Sequence, residues 1–456
     1  MSPLSDSTYR RLFSAQVLSL TGTGLSSVAL ALLAYELAGA SAGAVLGTAL
    51  AIKMVAYVGI APVIGGIAHR LPRKTLLISM DALRASVVLL FPFVDAVWQV
   101  YVLIFLLNAG SAAFTPTFQA VIPDILPDEA RYTRALSLSR LAYDLENLLS
   151  PLLAALLLTF ITFDALFALN ALSFIASGVL VMLTVLPRSA TSDRPAGFWF
   201  NLSFGISAYL ATPRLRGLLA CNLAAAAAGA MVIVNTVVYV RSQLGGDGTD
   251  VAQAMAAFGA GSMLAALMLP RLLDRIADRP AMLGGGLLVG VVLALSGTVM
   301  PGFAGLLAIW FAAGIGYSLL QTPAGRLLRR SSREGDRAAY FAAQFALSHA
   351  CWLLTYPLAG WLGAVFDLRM AFVLLAALVG LAVIAAMRLW RAPDAFEVEH
   401  LHEDVEHDHP HTHDEHHQHV HERSEGSEPH RHPHRHAALH HRHEYVIDLH
   451  HQRRPG

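Results

Sequence analysis

Gly65-Gly66-Ile67-Ala68-His69-Arg70-Leu71-Pro72-Arg73-Lys74 is a short basic turn between two long apolar runs, roughly 43–68 and 75–94. A transmembrane helix needs about 20 mainly apolar residues, and both runs meet that length. A second basic turn, Arg271-Leu272-Leu273-Asp274-Arg275-Ile276-Ala277-Asp278-Arg279-Pro280, stands between runs at roughly 251–270 and 281–300. The two turns occupy matching places if the chain is built as two halves. Working outward from them gives eight more apolar runs, at roughly 12–37, 97–119, 136–160, 165–186, 215–240, 303–325, 338–362 and 370–390. That makes twelve expected spans in all. A polar interruption from Pro187 to Arg216, holding Asp193-Arg194-Pro195 and Phe198-Trp199-Phe200, divides them six and six.

Composition agrees. Of 456 residues, 55% are hydrophobic and only 14% charged, with a mean hydropathy of +0.53. Soluble domains carry about 25% charged residues, so the chain is expected to be an all-α, multi-pass membrane protein with lipid as its main partner. Cys221 and Cys351 are the only cysteines and lie in apolar surroundings, which excludes a disulfide framework. The N-terminus shows no signal-peptide cleavage pattern, so the first apolar run is expected to stay as a helix. There is no Gly-x-x-x-x-Gly-Lys-Ser/Thr loop, so ATP is not the expected energy source, and nothing points to nucleic acid.

The net charge of zero hides two materials. Residues 1–391 carry 26 Lys/Arg against 18 Asp/Glu, whereas residues 392–456 carry 6 against 14. Nineteen of the 21 histidines lie between His400 and His451. The expected organisation is a six-helix half at 1–187, a linker at 188–214, a second half at 215–391 and a disordered His-rich tail at 392–456. With the N-terminus inside, inward-facing segments hold 20 Lys/Arg, and outward loops hold only Arg241 and Arg369. By the positive-inside rule both termini, and the tail, are expected in the cytosol.

Two tail blocks differ. The first holds His400, His402, His407, His409, His411, His413, His416, His417, His419 and His421, with seven Asp/Glu from Glu403 to Glu422. The second begins at His430, His432, His434 and His436, and carries Arg431, Arg435 and Arg442 between its histidines. Imidazole and carboxylate ligands suit Cu²⁺, Ni²⁺ and Zn²⁺, and the acidic block is expected to bind better than the arginine-bearing one. A pH-responsive charge switch is the alternative reading.

Ionisable residues inside a membrane are expensive and mark functional sites. His349 falls about 16 Å along its helix at 1.5 Å per residue, near mid-membrane, as a metal ligand, a proton acceptor or a bonded neutral ring. Cys351 lies on another face, about 200° round the helix, and reads better as apolar filler. Lys53 is either a coupling residue or half of an ion pair. Asp81 and Arg84, three apart, read as a structural or gating pair. Asp144 shares a face with Arg140 and Asn147, so it is either a cation site or an intrahelical pair with Arg140; Glu146 faces elsewhere. Asn108 offers an amide oxygen, with an interhelical hydrogen bond as the plainer expectation.

The 65–74 turn resembles the loop-2/3 signature of the major facilitator superfamily, Gly-x-x-x-Asp-Arg-x-Gly-Arg-Arg/Lys. Gly65, Arg70, Arg73 and Lys74 match; His69 stands for the usual Asp and Pro72 for the usual Gly. The likeness spans residues 9–391. It implies two pseudo-symmetric six-helix halves that rock about a central site, with the four matching residues as gating candidates. The usual charge latch of that turn lacks its acid. Arg326-Leu327-Leu328-Arg329-Arg330-Ser331-Ser332-Arg333, with the stretch Phe341-Ala342-Ala343-Gln344-Phe345-Ala346-Leu347-Ser348-His349-Ala350-Cys351-Trp352-Leu353-Leu354-Thr355-Tyr356-Pro357, is similar to NreB-type nickel-resistance transporters, which also end in a His-rich tail. That resemblance implies nickel efflux across a bacterial inner membrane. Cys221 with His349 resembles, in residue type, the metal-binding Cys and His of ferroportin, another member of the superfamily.

The expected function is export of Ni²⁺, with Co²⁺ or Zn²⁺ as further cargo, in exchange for protons, with no permanently bound cofactor and no enzymatic activity. Moving a divalent ion out against 100 mV costs about 4.6 kcal/mol, which proton antiport can supply. The competing expectations are an exporter of drugs or siderophores and a non-transporting metal sensor.

Overall fold

The computed structural model describes residues 2–38, 42–67, 71–187, 198–391 and, in the tail, 397–402, 405–411, 430–436 and 439–444. Fourteen α-helices occupy the body among these residues. The first half holds α1 (Ser7–Ala38), α2 (Ala42–Ile67), α3 (Arg73–Val88), α4 (Val97–Ile125), α5 (Glu129–Leu157) and α6 (Phe163–Met182). A short α7 (Phe198–Ala211) joins it to the second half. That half holds α8 (Pro213–Val238), α9 (Gly248–Leu273), α10 (Asp278–Val299), α11 (Phe303–Gln321), a short α12 (Ala324–Arg330), α13 (Arg337–Val365) and α14 (Leu368–Leu389).

Among the described residues, ten helical segments are long and apolar enough to cross a bilayer. The long helices α5 and α13 fall outside that set. Arg140, Asp144 and Glu146 charge every long window of α5, and Gln344, Ser348, His349 and Thr355 dilute α13. Both stand at the seam between the halves, α5 against α9 and α13 against α2 and α4. The outer surface of the bundle is apolar, with Leu50, Trp98, Phe160, Leu267 and Leu287 exposed, as a lipid-facing surface requires.

Helix starts run further than hydrophobicity alone indicates. The α5 helix begins at Glu129, ahead of the apolar run, because the Asp128 carboxylate accepts from the Arg131 backbone N–H at 2.8 Å. Before α9, Asp247 accepts from the Thr249 and Asp250 backbones while Asp250 reaches back to the Asp247 N–H. Those two N–H groups, that of Asp250 first, hold the Asp247 carboxyl below the usual carboxylate range. In the segment expected as a polar linker, α7 packs against α2 and α13 through buried Asn201, Ala208 and Tyr209.

Each half has its own packing. In the first, α1 lies against α5 and α6, and α3 against α4 and α6; in the second, α9 crosses α11, and α14 lies against α8 and α10. The α9–α11 crossing is set by two glycines. A methyl group on Gly261 would strike the Phe311 carbonyl, and one on Gly314 would strike the Phe258 carbonyl. Small residues let membrane helices approach to backbone contact. The halves meet where α2 and α4 touch α13 and where α5 touches α9.

The described residues of the tail are short paired segments. Strands β1 (Glu397–His402) and β4 (Leu439–Glu444) form one antiparallel pair, and β2 (Val405–His411) and β3 (His430–His436) another. His413, His416, His417, His419 and His421 lie outside the described residues.

Candidate functional site

The seam brings residues of both halves to one place. On α13, the His349 Nδ1 lies 2.7 Å from the Phe345 carbonyl oxygen, one turn back. A carbonyl only accepts, so Nδ1 carries the hydrogen and Nε2 of the neutral ring keeps its lone pair. That lone pair is the one a proton or a metal ion would take. The ring is held by Phe345, 4.2 Å between centroids, and by the edge of Tyr57 from α2 at 4.7 Å. Lys53, one turn from Tyr57 on α2, sets its ammonium 5.6 Å from the Tyr57 ring centroid. Its charge acts on His349 across the seam and on Glu146 of α5. Glu146 in turn acts on Tyr143, which hydrogen-bonds Gln16 of α1. Imidazole, ammonium and carboxylate, three groups that exchange protons, thus come from α13, α2 and α5.

Beside this trio lies a closed ion pair. Arg140 grips Asp144 through both carboxylate oxygens, and Ser262 of α9 donates to Asp144 Oδ2 at 2.7 Å. The Arg140 guanidinium lies 4.7 Å from the Tyr317 ring centroid of α11. Of the two readings of Asp144, the structure holds the Arg140 pair, extended across the seam by Ser262. The Asn147 side chain lies outside the described residues. Glu146 is placed apart from this pair, with Lys53.

Other candidates fall elsewhere. Asp81 and Arg84 pair within the first half; Ser177 of α6 donates to Asp81, and Phe114 and Phe174 flank the guanidinium at 4.2 and 4.4 Å. The interhelical bond expected of Asn108 is replaced by a bond to its own helix: Nδ2 donates to the Ile104 carbonyl at 2.7 Å. Cys221 and Cys351 are both buried. Among the described residues, no group of three or more His, Cys, Asp or Glu comes together, so the body presents no preassembled cage.

The gating candidates lie at the end of the bundle where the basic turns gather. Gly65 permits close approach of α2 to α13: a methyl there would come within 2.7 Å of the Ala342 Cβ. Arg70 lies outside the described residues. Lys74 donates to the Thr184 carbonyl at 2.8 Å. Arg73 pairs with Asp124 at the foot of α4, and Arg337 of α13 pairs with the same carboxylate. Asp124 thereby supplies an acid near the basic turn, whose usual Asp position is His69. A second cluster joins Glu129 of α5 to Arg326 and Arg330 of α12, both of which also pair with Asp278 of α10. Sequence reading missed these acids because their partners are remote; Glu129 and Arg330 are 201 residues apart. Both clusters cross from one half to the other and close the seam at this end.

Two helical halves, meeting at a titratable centre and latched at one end, are the architecture of a rocking carrier. The model of the Major Facilitator Superfamily matches residues 12–228 and 218–413. The chain belongs to the major facilitator superfamily. Among curated relatives of this superfamily member, macrolide efflux protein A of Enterococcus faecalis is 26% identical over 153 residues, 31% of this chain and 47% of that protein. The Streptococcus pyogenes protein of the same name is 25% identical over 182 residues, 39% and 44%. The uncharacterized transporter YfiS of Bacillus subtilis is 26% identical over 277 residues, 58% and 64%. The chain thus spans about half the length of the curated relatives it matches. Among solved structures, the human organic anion transporter MFSD10 gives a TM-score of 0.71 at 12% identity, covering 84% of this chain and 99% of that one. A bacterial homologue of the iron transporter ferroportin, in its outward-facing state, gives 0.70 at 14% identity with the same coverage. At these identities the structures establish the fold alone.

Proposed function

We propose that this superfamily member exports divalent transition-metal ions from the cytosol of a bacterium in exchange for protons. Ni²⁺ is the first cargo in this reading, with Co²⁺ or Zn²⁺ beside it. The basic end faces the cytosol, by the positive-inside rule, and both termini and the tail lie there. The observation that carries the reading is His349, its Nε2 lone pair held at the seam beside Lys53 and within the electrostatic reach that links Lys53 to Glu146. Metal arriving from the cytosol meets an imidazole and a carboxylate whose ammonium neighbour sheds a proton to relieve the charge. Release to the other side lets the proton return. The His-rich tail supports the cargo class: tethered at the entrance, it raises the local metal concentration there.

A second reading is favoured by the aromatic collar of Tyr57 and Phe345 around His349, and by the likeness to macrolide efflux proteins. Rings and a cation–carboxylate pair suit an amphiphilic organic molecule. A non-transporting metal sensor is the third. Two measurements separate all three: metal-dependent proton flux in vesicles, and growth of a sensitive host on a panel of metals and macrolides, with the full chain, a chain stopped after Asp394, and His349→Ala. Metal tolerance that His349→Ala abolishes supports the proposal. Macrolide tolerance alone establishes the second reading. Absence of metal-dependent proton flux in vesicles, with metal still bound, establishes the third.

A further inference from the structure

We propose that Gln16 is a proton insulator: its carboxamide interrupts a hydrogen-bonded file that otherwise leads from Glu146 at the centre to the latched end of the bundle. The inference rests on the reading of the central groups as proton carriers, but not on the identity of the cargo.

The file lies where α1 packs against α5. Ala135, Ser139 and Tyr143 are spaced four apart on α5, and Glu146 follows three further on, so they share one face. Tyr9 and Gln16, two turns apart, share a face of α1. The contacts then run in sequence. The Tyr9 hydroxyl bonds the Ser139 side chain and lies 3.3 Å from the Ala135 carbonyl oxygen. Ser139 Oγ donates to Gln16 Oε1 at 3.1 Å. The Gln16 side chain bonds the Tyr143 hydroxyl, and Tyr143 lies within electrostatic reach of Glu146. At 1.5 Å per residue, Tyr9 is about 3 Å and Gln16 about 14 Å from the start of α1, and Glu146 is about 26 Å from the start of α5. The α5 start is Glu129, a member of the arginine latch. The file therefore connects the latched end with the centre. Tyr9 and Gln16 are 1% and 7% exposed, so these bonds are made inside the protein.

The chemistry of the members differs at one place. A hydroxyl both gives and accepts a hydrogen on the same oxygen, so Tyr9, Ser139 and Tyr143 can each hand a proton on while taking another. A carboxamide divides those roles between two atoms: its oxygen accepts and its nitrogen donates. A proton offered at one end is not released from the other. Gln16 thus ties α1 to α5 as firmly as an acid would, and stops the relay. The neighbours fit this division. Lys53 of α2 acts on Glu146, Tyr57 of α2 and Arg140 act on Tyr143, and Arg84 of α3 lies in reach of Tyr143. Arg140 and Arg84 are already paired, with Asp144 and Asp81. Glu146 exchanges its proton with the centre, where Lys53 stands, rather than along the file. With the latches shut, an unbroken file would carry protons past the closed seam with no cargo moved. The amide keeps proton entry tied to the rocking of the halves.

The test measures passive proton entry into vesicles that hold the full-length protein and a trapped pH-sensitive dye. A pH gradient is imposed with potassium and valinomycin present and no metal added. Gln16→Glu supplies a group of the same shape that takes and releases protons; it should raise entry at least fivefold over the unaltered protein. Gln16→Met, which adds no titratable group, should stay within twofold. Adding Ser139→Ala to Gln16→Glu cuts the file below position 16 and should bring entry back within twofold. The melt midpoint is read for every variant, and Gln16→His replaces Gln16→Glu if the buried carboxyl unfolds the chain. The insulator is overturned if the titratable variant leaks no faster than the unaltered protein. It is equally overturned if Gln16→Met leaks as fast as Gln16→Glu, or if the leak survives Ser139→Ala. Ni²⁺-driven proton flux by the unaltered protein is recorded in the same vesicles. No such flux with a leak in Gln16→Glu sinks the metal reading and leaves the insulator standing; flux without the leak sinks the insulator alone.

Discussion

Replacing Asp124 with Asn tests how the seam is latched. Asp124 is shared by Arg73 of its own half and Arg337 of the other; the three side chains are 10%, 7% and 8% exposed. When the basic end opens, the Arg73 contact travels with Asp124 and only the Arg337 contact breaks. The opening equilibrium therefore feels one buried, charge-assisted pair, about 1.5–3 kcal/mol. Asp124→Asn removes that bias and raises the open population roughly 10- to 150-fold. Glu129 also crosses the seam, to Arg326 and Arg330, but its side chain is 44% exposed. Solvent screening cuts such a contact to about 0–1 kcal/mol, so Glu129→Gln changes opening roughly fivefold or less. Asp278 pairs with the same two arginines inside one half. Asp278→Asn should lower thermal stability and leave opening unchanged. The assay is alkylation, by a membrane-permeant maleimide, of the thiol introduced by Thr133→Cys. Thr133 is buried at the seam and receives a 3.0 Å hydrogen bond from Arg326. The reasoning is refuted if Asp124→Asn leaves the alkylation rate within twofold while Glu129→Gln raises it tenfold.

Gly314→Ala drives a methyl group against the Phe258 carbonyl, and overpacking of this kind costs about 1–3 kcal/mol; a scanning-fluorescence melt in detergent should show a lowered midpoint, with Gly360→Ala, where the nearest atom is 3.7 Å away, as the mild control. Arg84→Lys keeps the charge but loses the flat contact with Phe114 and Phe174, whereas Asp81→Asn leaves a buried guanidinium without its partner. The second should be the more damaging, at about 3–5 kcal/mol, read in the same melt. Ser262→Ala removes a hydroxyl that both Arg140 and Asp144 touch across the seam; substrate-driven proton flux in vesicles should fall while the melt midpoint moves little.

The helical body was legible because lipid forces a simple code of apolar length and loop charge, and the basic turn at 65–74 carried the family likeness. The Asp81–Arg84 and Arg140–Asp144 pairs were legible for a local reason: three or four residues apart on a helix means one face. What was not legible needs the fold. Tyr57 meets His349 from a helix almost 300 residues away. Asp124 reaches Arg337 only because α4 and α13 end side by side. The α7 helix hid in a polar interruption, since 14 residues are too few to cross a bilayer and its burial comes from α2 and α13. The tail's histidines were plain in sequence, but their pairing is a matter of register, which composition does not encode.

The glycine crossing of α9 and α11 has a mechanical meaning. With Gly261 set on the Phe311 carbonyl and Gly314 on the Phe258 carbonyl, the two helices have almost no slack between them. Ser262, next to Gly261, is the residue that touches Asp144 across the seam. At the other end of the same assembly, α11 runs within a few residues into α12, which carries Arg326 and Arg330. The pair behaves as a stiff lever with its load point at Ser262 and its tip at the arginines. A small displacement of α9, of the kind a bound or departing substrate at the centre would cause, would reach the arginine tip with little loss. A softer joint would absorb it in side-chain rearrangement before it reached the mouth of the carrier.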